Sequence, residues 1–306
     1  MVSPHVRAPQ AAVWGFYPIN ADSLRAAIEN CFRNPSFGPG RPPSRGSRAS
    51  EGPVIGGVAP HAGYEFSGPC AAYLYLELAE RTPAIDTVVI IGSNHTGFGG
   101  TFTTTKMFRK WATPLGEVSV DLEFVEMLLK KCPLVVDDAS AHLREHSVEV
   151  QLPFLQYVYG NSFSLVPLVA KHVEVDEARD LAKAIKSIAQ ELGKRIVVIA
   201  SSDFTHHGAY YGYVLFRDNI VENVKKLDLE FINAILNLDT RRFLNLIRKY
   251  DSTVCGYGAI AVAMEFAKLE NARAKLLKYY NSGEVTGEED MVVGYAAISF
   301  EIPSER

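Results

Sequence analysis

The sequence predicts an α/β protein, with a sheet of buried strands covered by helices on both faces. Three observations carry this. Val54–Ala59, Thr87–Gly92 and Ile196–Ala200 are continuous apolar runs of strand length, as expected for strands buried on both faces. Stretches with helical apolar spacing lie between such runs. Each of the three runs also ends in a turn that carries chemically capable side chains. The first leads through Ala59-Pro60 to His61. The second leads through Gly92-Ser93-Asn94 to His95. The third leads through Ser201-Ser202 to Asp203 and His206. Ligands of open α/β sheets bind just beyond the carboxyl ends of the strands.

Taken in order, residues 8–32 open on Ala-Pro-Gln-Ala-Ala-Val-Trp-Gly-Phe-Tyr-Pro, and a helix is expected after that stretch with Asp22 as N-cap and Leu24, Ile28 and Phe32 on one face. Residues 33–53 are rich in Pro, Gly and Ser, carry Arg33, Arg41, Arg45 and Arg48, and hold almost no apolar anchor. A mobile surface loop is expected there. The strand Val54–Ala59 precedes a helix-like Cys70–Arg81, and Thr87–Gly92 is the next strand. Residues 101–121 read as a hairpin around Pro114-Leu115-Gly116. Leu122–Lys131 and Ser147–Tyr159 read as helices, Phe163–Val169 as a strand and Asp176–Leu192 as a helix. After Ile196–Ala200, helices are expected at Leu227–Asn237, Thr240–Tyr250 and Gly258–Leu269. Strands at Leu276–Asn281 and Val292–Ile302 end the chain. No internal repeat or linker divides it, so residues 1–306 are read as one domain.

The bulk composition is that of an ordinary globular chain, 47% hydrophobic and 22% charged, with a formal net charge of -4. Nothing in that balance points to nucleic acid or an anionic membrane as partner. Neither a signal peptide nor an apolar stretch of membrane-spanning length is found. Cys31, Cys70, Cys132 and Cys255 are far apart, which does not form a disulfide framework. Reduced thiols and a cytoplasmic location are expected.

His61 and His95 occupy equivalent strand-end turns, where histidine serves as a metal ligand or a general base. A hydrogen-bonded turn residue is the bland alternative for each alone. Asp203 and His206 suggest an acid–base pair, although Asp203 also suits a capping role. Cys255 precedes Gly256 at the start of a helix, where the helix dipole stabilises a thiolate. Simple burial is the other reading. His142-Leu143-Arg144-Glu145-His146 matches an H-x-x-E-H pattern that binds zinc on one helix face in some metalloproteases. Its flanking residues suggest a loop-to-helix boundary, which argues against that site.

The chain resembles the Memo family, whose fold is related to the class III extradiol (LigB-like) dioxygenases. The resemblance rests on Ala-Val-Trp-Gly-Phe-Tyr-Pro at 12–18, Ala-Pro-His-Ala-Gly-Tyr-Glu-Phe-Ser-Gly at 59–68 and Ile-Gly-Ser-Asn-His-Thr-Gly at 91–97. It continues through Glu-His-Ser-Val-Glu-Val-Gln-Leu-Pro-Phe at 145–154, Ser-Ser-Asp-Phe-Thr-His-His-Gly at 201–208 and Cys-Gly-Tyr-Gly at 255–258. It implies a three-layer α/β/α fold with a mixed, mostly parallel sheet and one cleft. It implies a metal triad of His61, His95 and Cys255, with Asp203, His206, His146 and Glu145 as catalytic candidates lining the cleft. The 33–53 loop looks longer than the family requires, and Gly-Ser replaces a commoner Gly-Pro before His95.

Two histidines and an anion with open positions form the arrangement of non-haem iron oxygenases, where the anion is a carboxylate. Here it would be a thiolate. Iron(II) or copper is the expected metal, with zinc also accommodated. The function expected from the resemblance is that of a metal-binding protein and dioxygenase-like redox enzyme. A non-catalytic metal-binding or interaction module using the same cleft is the alternative, and a metal-assisted hydrolase is a third. A small molecule or peptide is the expected occupant of the cleft, and the oligomeric state is left open.

Overall fold

The computed structural model describes residues 5–304. Its strands are β1 (Val6–Arg7), β2 (Val54–Ala59), β3 (Thr87–Ser93), β4 (Phe102–Thr104), β5 (Lys110–Thr113), β6 (Gly116–Val120), β7 (Val135–Asp137), β8 (Ser164–Ala170), β9 (Ile196–Ser201), β10 (His206–His207), β11 (Arg273–Asn281) and β12 (Val292–Glu301). Its helices are α1 (Gln10–Val13), α2 (Ala21–Arg33), α3 (Tyr64–Arg81), α4 (Leu122–Lys131), α5 (Ser140–Leu143), α6 (Leu152–Tyr159), α7 (Val175–Leu192), α8 (Ile220–Leu236), α9 (Thr240–Lys249), α10 (Tyr257–Leu269) and α11 (Ser282–Thr286).

The sheet runs β1-β5-β6-β8-β3-β9-β2-β12-β10, with β11 paired to β12 and β4 paired to both β7 and β8. The neighbours β6, β8, β3, β9 and β2 are parallel, whereas β12 is antiparallel to β2 and β11 to β12. Helix α3 packs on β2 and β12 together with α2 and α6. Helix α10 packs on β2, β3 and β9 together with α7. The result is the three-layer α/β/α arrangement with a mixed, mostly parallel sheet that the sequence predicts. Every residue of β3 is buried, which is why that strand shows no polar alternation. Among the described residues, no helix is long and apolar enough to cross a membrane.

Local differences have physical causes. Helix α2 buries Leu24, Ile28 and Phe32 as expected, but its N-cap is Asn20, which accepts from the Ser23 N–H. Asp22 lies in the first turn, where its charge faces the positive end of the helix. Helix α3 begins at Tyr64, ahead of Cys70, and runs through Gly68-Pro69. Local propensity disfavours those two residues in a helix, but packing against α2 keeps the turn, with Gly68 held against Cys31 Sγ. The Ser147–Tyr159 stretch is a 3-10 turn at Glu149–Gln151 followed by the shorter α6. Its polar residues Glu149 and Gln151 are fully buried and bond to Arg7 and Tyr75. The arginine-rich segment crosses the end of α3. Arg41 and Arg48 pair with Glu80 there, and the Gly46 and Arg48 N–H groups donate to Ala79 and Glu80 carbonyls. Its contacts are ionic and backbone contacts, which apolar patterning does not register.

Candidate metal centre

The carboxyl ends of β2, β3 and β9 open onto one place, and two glycines let the surrounding turns close on it. A Cβ on Gly92 would lie 2.2 Å from Ser147 Oγ, so only glycine lets β3 approach the 145–147 turn this closely. A Cβ on Gly256 would lie 2.6 Å from Ser202 Cβ, and this contact seats the Cys255 turn against the end of β9. Cys255 sits just before the cap of α10.

His61, His95 and His146 each offer a ligand nitrogen, and these atoms lie within 4.8 Å of one another. Nitrogens sharing one ion at zinc-like bond lengths are at most about 4.2 Å apart. The group is thus close to the span that one shared ion requires. The His95 and His146 rings stack at 4.8 Å, and His61 meets both edge-on. Cys255 Sγ lies 3.2 Å from His61 Nε2.

The outward nitrogens of His61 and His95 are already engaged. His95 Nδ1 donates to Glu145 Oε1 at 2.9 Å, and His61 Nδ1 meets Ser201 Oγ at 3.0 Å. Metal-binding histidines generally have such partners behind them. Glu145 also accepts from the His95 and Ser147 backbone N–H groups. Burial pushes the Glu145 carboxyl upward, but its bond to His95 and the charge of His95 outweigh this and hold it at about 2. Burial likewise opposes the charged form of His95, yet bonds to Cys255 and Glu145 raise it to about 11. His61 is pulled down by burial and raised on balance by Cys255 and Asp203. Burial alone would raise the Cys255 thiol, but the two imidazoles bring it well below its usual value. Burial and the neighbouring His61 lower His146 to about 3, so it presents a neutral ring. Three imidazoles are thus within reach of one ion, and the Cys255 sulfur stands beside His61.

Asp203 is in the same cluster. Its Oδ1 accepts from the His61 backbone N–H at 2.8 Å, its Oδ2 lies 3.8 Å from His61 Nε2, and burial raises its carboxyl. His206 stands beside it, with Nδ1 donating to the carbonyls of Phe204 and Thr253. Its other nitrogen is therefore the basic one.

The H-x-x-E-H pattern does not form a zinc site. Helix α5 ends at Leu143, so His142 and His146 share no helix face. His142 is fully buried, bonds the Thr103 carbonyl through Nε2, and is lowered to about 4, chiefly by burial. This has a consequence for stability. The unfolded His142 takes up a proton below about pH 6.5, whereas the folded one stays neutral down to about 4. Stability should fall as pH drops through that window, by a total on the order of 3 kcal/mol. Denaturation of the protein and of His142→Gln at pH 7 and pH 4.5 checks this. Equal pH slopes for the two proteins would refute it.

Several supporting residues lie outside the candidate ligands and acid–base groups. Phe16 stacks on the His146 ring at 4.2 Å. Asp228 on α8 accepts from the Thr205 N–H and hydroxyl and from the Tyr279 hydroxyl, which pins the turn between Asp203 and His206. Burial raises the Asp228 carboxyl to about 6. Gln151 bonds Ser201 behind His61. Phe16 and Gln151 lie inside the stretches 12–18 and 145–154, which point to them without giving a role, whereas Asp228 lies in none and is marked only by its burial, which a sequence does not display.

The chain is similar to known proteins over nearly its whole length. Residues 7–299 match the family described as Memo-like protein. The chain belongs to the Memo family. It is 44% identical over 298 residues to a MEMO1 family protein of Methanopyrus kandleri, covering 96% of this chain and 98% of that one. A MEMO1 family protein of Desulfurococcus amylolyticus is 42% identical over 297 residues, covering 97% and 99%. One from Methanocaldococcus jannaschii is 41% identical over 288 residues, covering 92% and 94%. The match runs through every turn that builds this centre in the Memo chain, from Phe16 to Cys255.

Proposed function

We propose that this Memo protein binds one redox-active metal ion, iron(II) or copper, in the cleft and uses it in a dioxygenase-like oxidation of a small molecule. The observation that carries the reading is the cluster of three imidazoles within 4.8 Å of one another, beside a thiolate and at the carboxyl edge of the sheet. His61, His95 and His146 would hold the ion, with Cys255 beside it. A bound ion of this kind supplies a site where oxygen and substrate meet and exchange electrons.

The chain's own groups account for the rest. Glu145 and Ser201 orient His95 and His61. Asp203, raised by burial, is suited to hold a proton and pass it on, and the His206 ring is fixed nearby by the Phe204 and Thr253 carbonyls. Phe16 covers one face of His146 and also lines an adjoining groove of about 580 Å³ with Tyr17, Ile19 and Tyr64. That groove suits the apolar part of a small molecule or peptide.

Metal analysis of the purified protein, then oxygen consumption with iron(II) or copper and catechol-like compounds, tests the reading. Uptake of oxygen that depends on metal and on an added compound is expected. Firm metal binding with no oxygen uptake for any such compound would leave the non-catalytic metal-binding module as the function. Absence of metal binding would remove both.

A further inference from the structure

We infer that Ser201 and Gln151 are positioning residues that hold the His61 ring with its proton on Nδ1 and its Nε2 turned toward Cys255 and the cleft. The inference rests on the metal-site reading and concerns only how this chain presents His61. It follows from the donors and acceptors available. Ser201 Oγ has three partners: the Ser147 carbonyl at 2.6 Å, Gln151 Nε2 at 2.8 Å and His61 Nδ1 at 3.0 Å. A carbonyl can only accept, so the single hydroxyl proton goes to Ser147. An amide nitrogen can only donate, so it fills one lone pair of the hydroxyl. The remaining lone pair faces His61, whose Nδ1 must therefore carry a proton.

The Gln151 amide cannot reverse this. Its Nε2 also donates to the Pro60 carbonyl at 2.9 Å, and its Oε1 accepts from the Tyr75 hydroxyl at 2.5 Å. Turning the amide over would set its oxygen against the Pro60 carbonyl. His61, Tyr75, Gln151 and Ser201 are all buried. A mismatched pair among them would therefore cost the full desolvation of a buried polar group. The orientation then propagates from Pro60 and Tyr75 through Gln151 and Ser201 to the ring.

His95 reaches the same orientation by a different route, because its Nδ1 faces the ionised Glu145. One ligand thus has a charged support and the other a neutral one. A carboxylate makes a ring a stronger donor than a hydroxyl does. His61 is therefore the weaker donor, and its geometry depends on the neutral network alone.

Long-range proton–nitrogen correlation spectra of the full chain, labelled with nitrogen-15 histidine and loaded with zinc as a diamagnetic probe, test the inference. The expected spectrum shows His61 Nδ1 protonated with a slowly exchanging proton. Ser201→Ala, which removes the acceptor, should lose that slow proton, whereas Gln151→Glu, whose carboxylate only adds an acceptor for the Ser201 hydroxyl proton, should keep it. In chelator competition Ser201→Ala should bind zinc about 10-fold or more weakly, while both backbone spectra stay those of the folded chain. A wild-type His61 with unprotonated Nδ1 would overturn the inference even if neither variant folds. So would a folded Ser201→Ala that keeps both the wild-type tautomer and zinc affinity within about twofold. If the wild type takes up no zinc, the metal reading fails by itself. The metal-free spectrum, at a pH where His61 is neutral, then decides the tautomer.

Discussion

His95→Ala should weaken metal binding by about 100-fold or more, a larger effect than loss of a supporting residue produces. The ring supplies one of three clustered nitrogens, and it is the one held by an ionised carboxylate. Its removal also leaves Glu145 buried without its imidazole partner. Competition with a coloured chelator measures the loss, and circular dichroism confirms that the chain is folded. Affinity within about threefold of wild type would move the metal site elsewhere. His146→Ala and Cys255→Ser test the other groups of the cluster. Loss of affinity in both is expected, because the ring completes the imidazole cluster and the thiolate lies against His61. Binding should also strengthen as pH rises. The metal must displace the proton that His95 holds up to about 11, and protons regain both imidazoles and the thiolate as pH falls.

Arg7→Ala should cost about 3–5 kcal/mol of stability, because it strands a buried carboxylate. Arg7 and Glu149 are both buried, and Arg7 Nη1 lies 2.5 Å from Glu149 Oε2. Glu149 also accepts from Ala11 N at 2.9 Å and from the Tyr17 hydroxyl at 2.6 Å. The guanidinium donates on to the carbonyls of His142 and Glu145 and stacks over Trp111. One side chain thus clamps the N-terminal segment onto the turn that carries Glu145 and His146. Loss of stability should be accompanied by loss of metal affinity. Arg7→Lys should recover little, because an ammonium cannot reproduce the planar fork. Urea denaturation measures both variants. Stabilities within about 1 kcal/mol of wild type would show that the clamp is not needed.

Strand ends, helix faces and family were legible in the sequence because they repeat or stay contiguous. The run Thr87–Gly92 is a buried strand because it is apolar throughout, and α4 spans Leu122–Lys131 because its apolar spacing matches a helix. The placement of His61, His95 and Asp203 at strand ends follows from the same runs, and these residues do share the carboxyl edge of the sheet. The neighbourhood of each was not legible. Nothing local in His142-Leu143-Arg144-Glu145-His146 says that His142 turns to Thr103 while His146 turns to the cleft. The helix that would align them ends at Leu143, and Arg7 holds the carbonyls of His142 and Glu145 on either side of that end.

By itself, then, the sequence determined the sheet, its covering helices and the turns that present ligand-type side chains. These depend on short-range periodicity and on turn residues, which a linear reading contains. Only the tertiary structure decided that His146 joins His61 and His95, that Glu145 stands behind one ring and Ser201 behind another, and that Cys255 meets His61. Those relations join residues as far apart as His61 and Cys255. They depend on how buried donors and acceptors are shared once water is excluded, and that sharing exists only after the layers have packed.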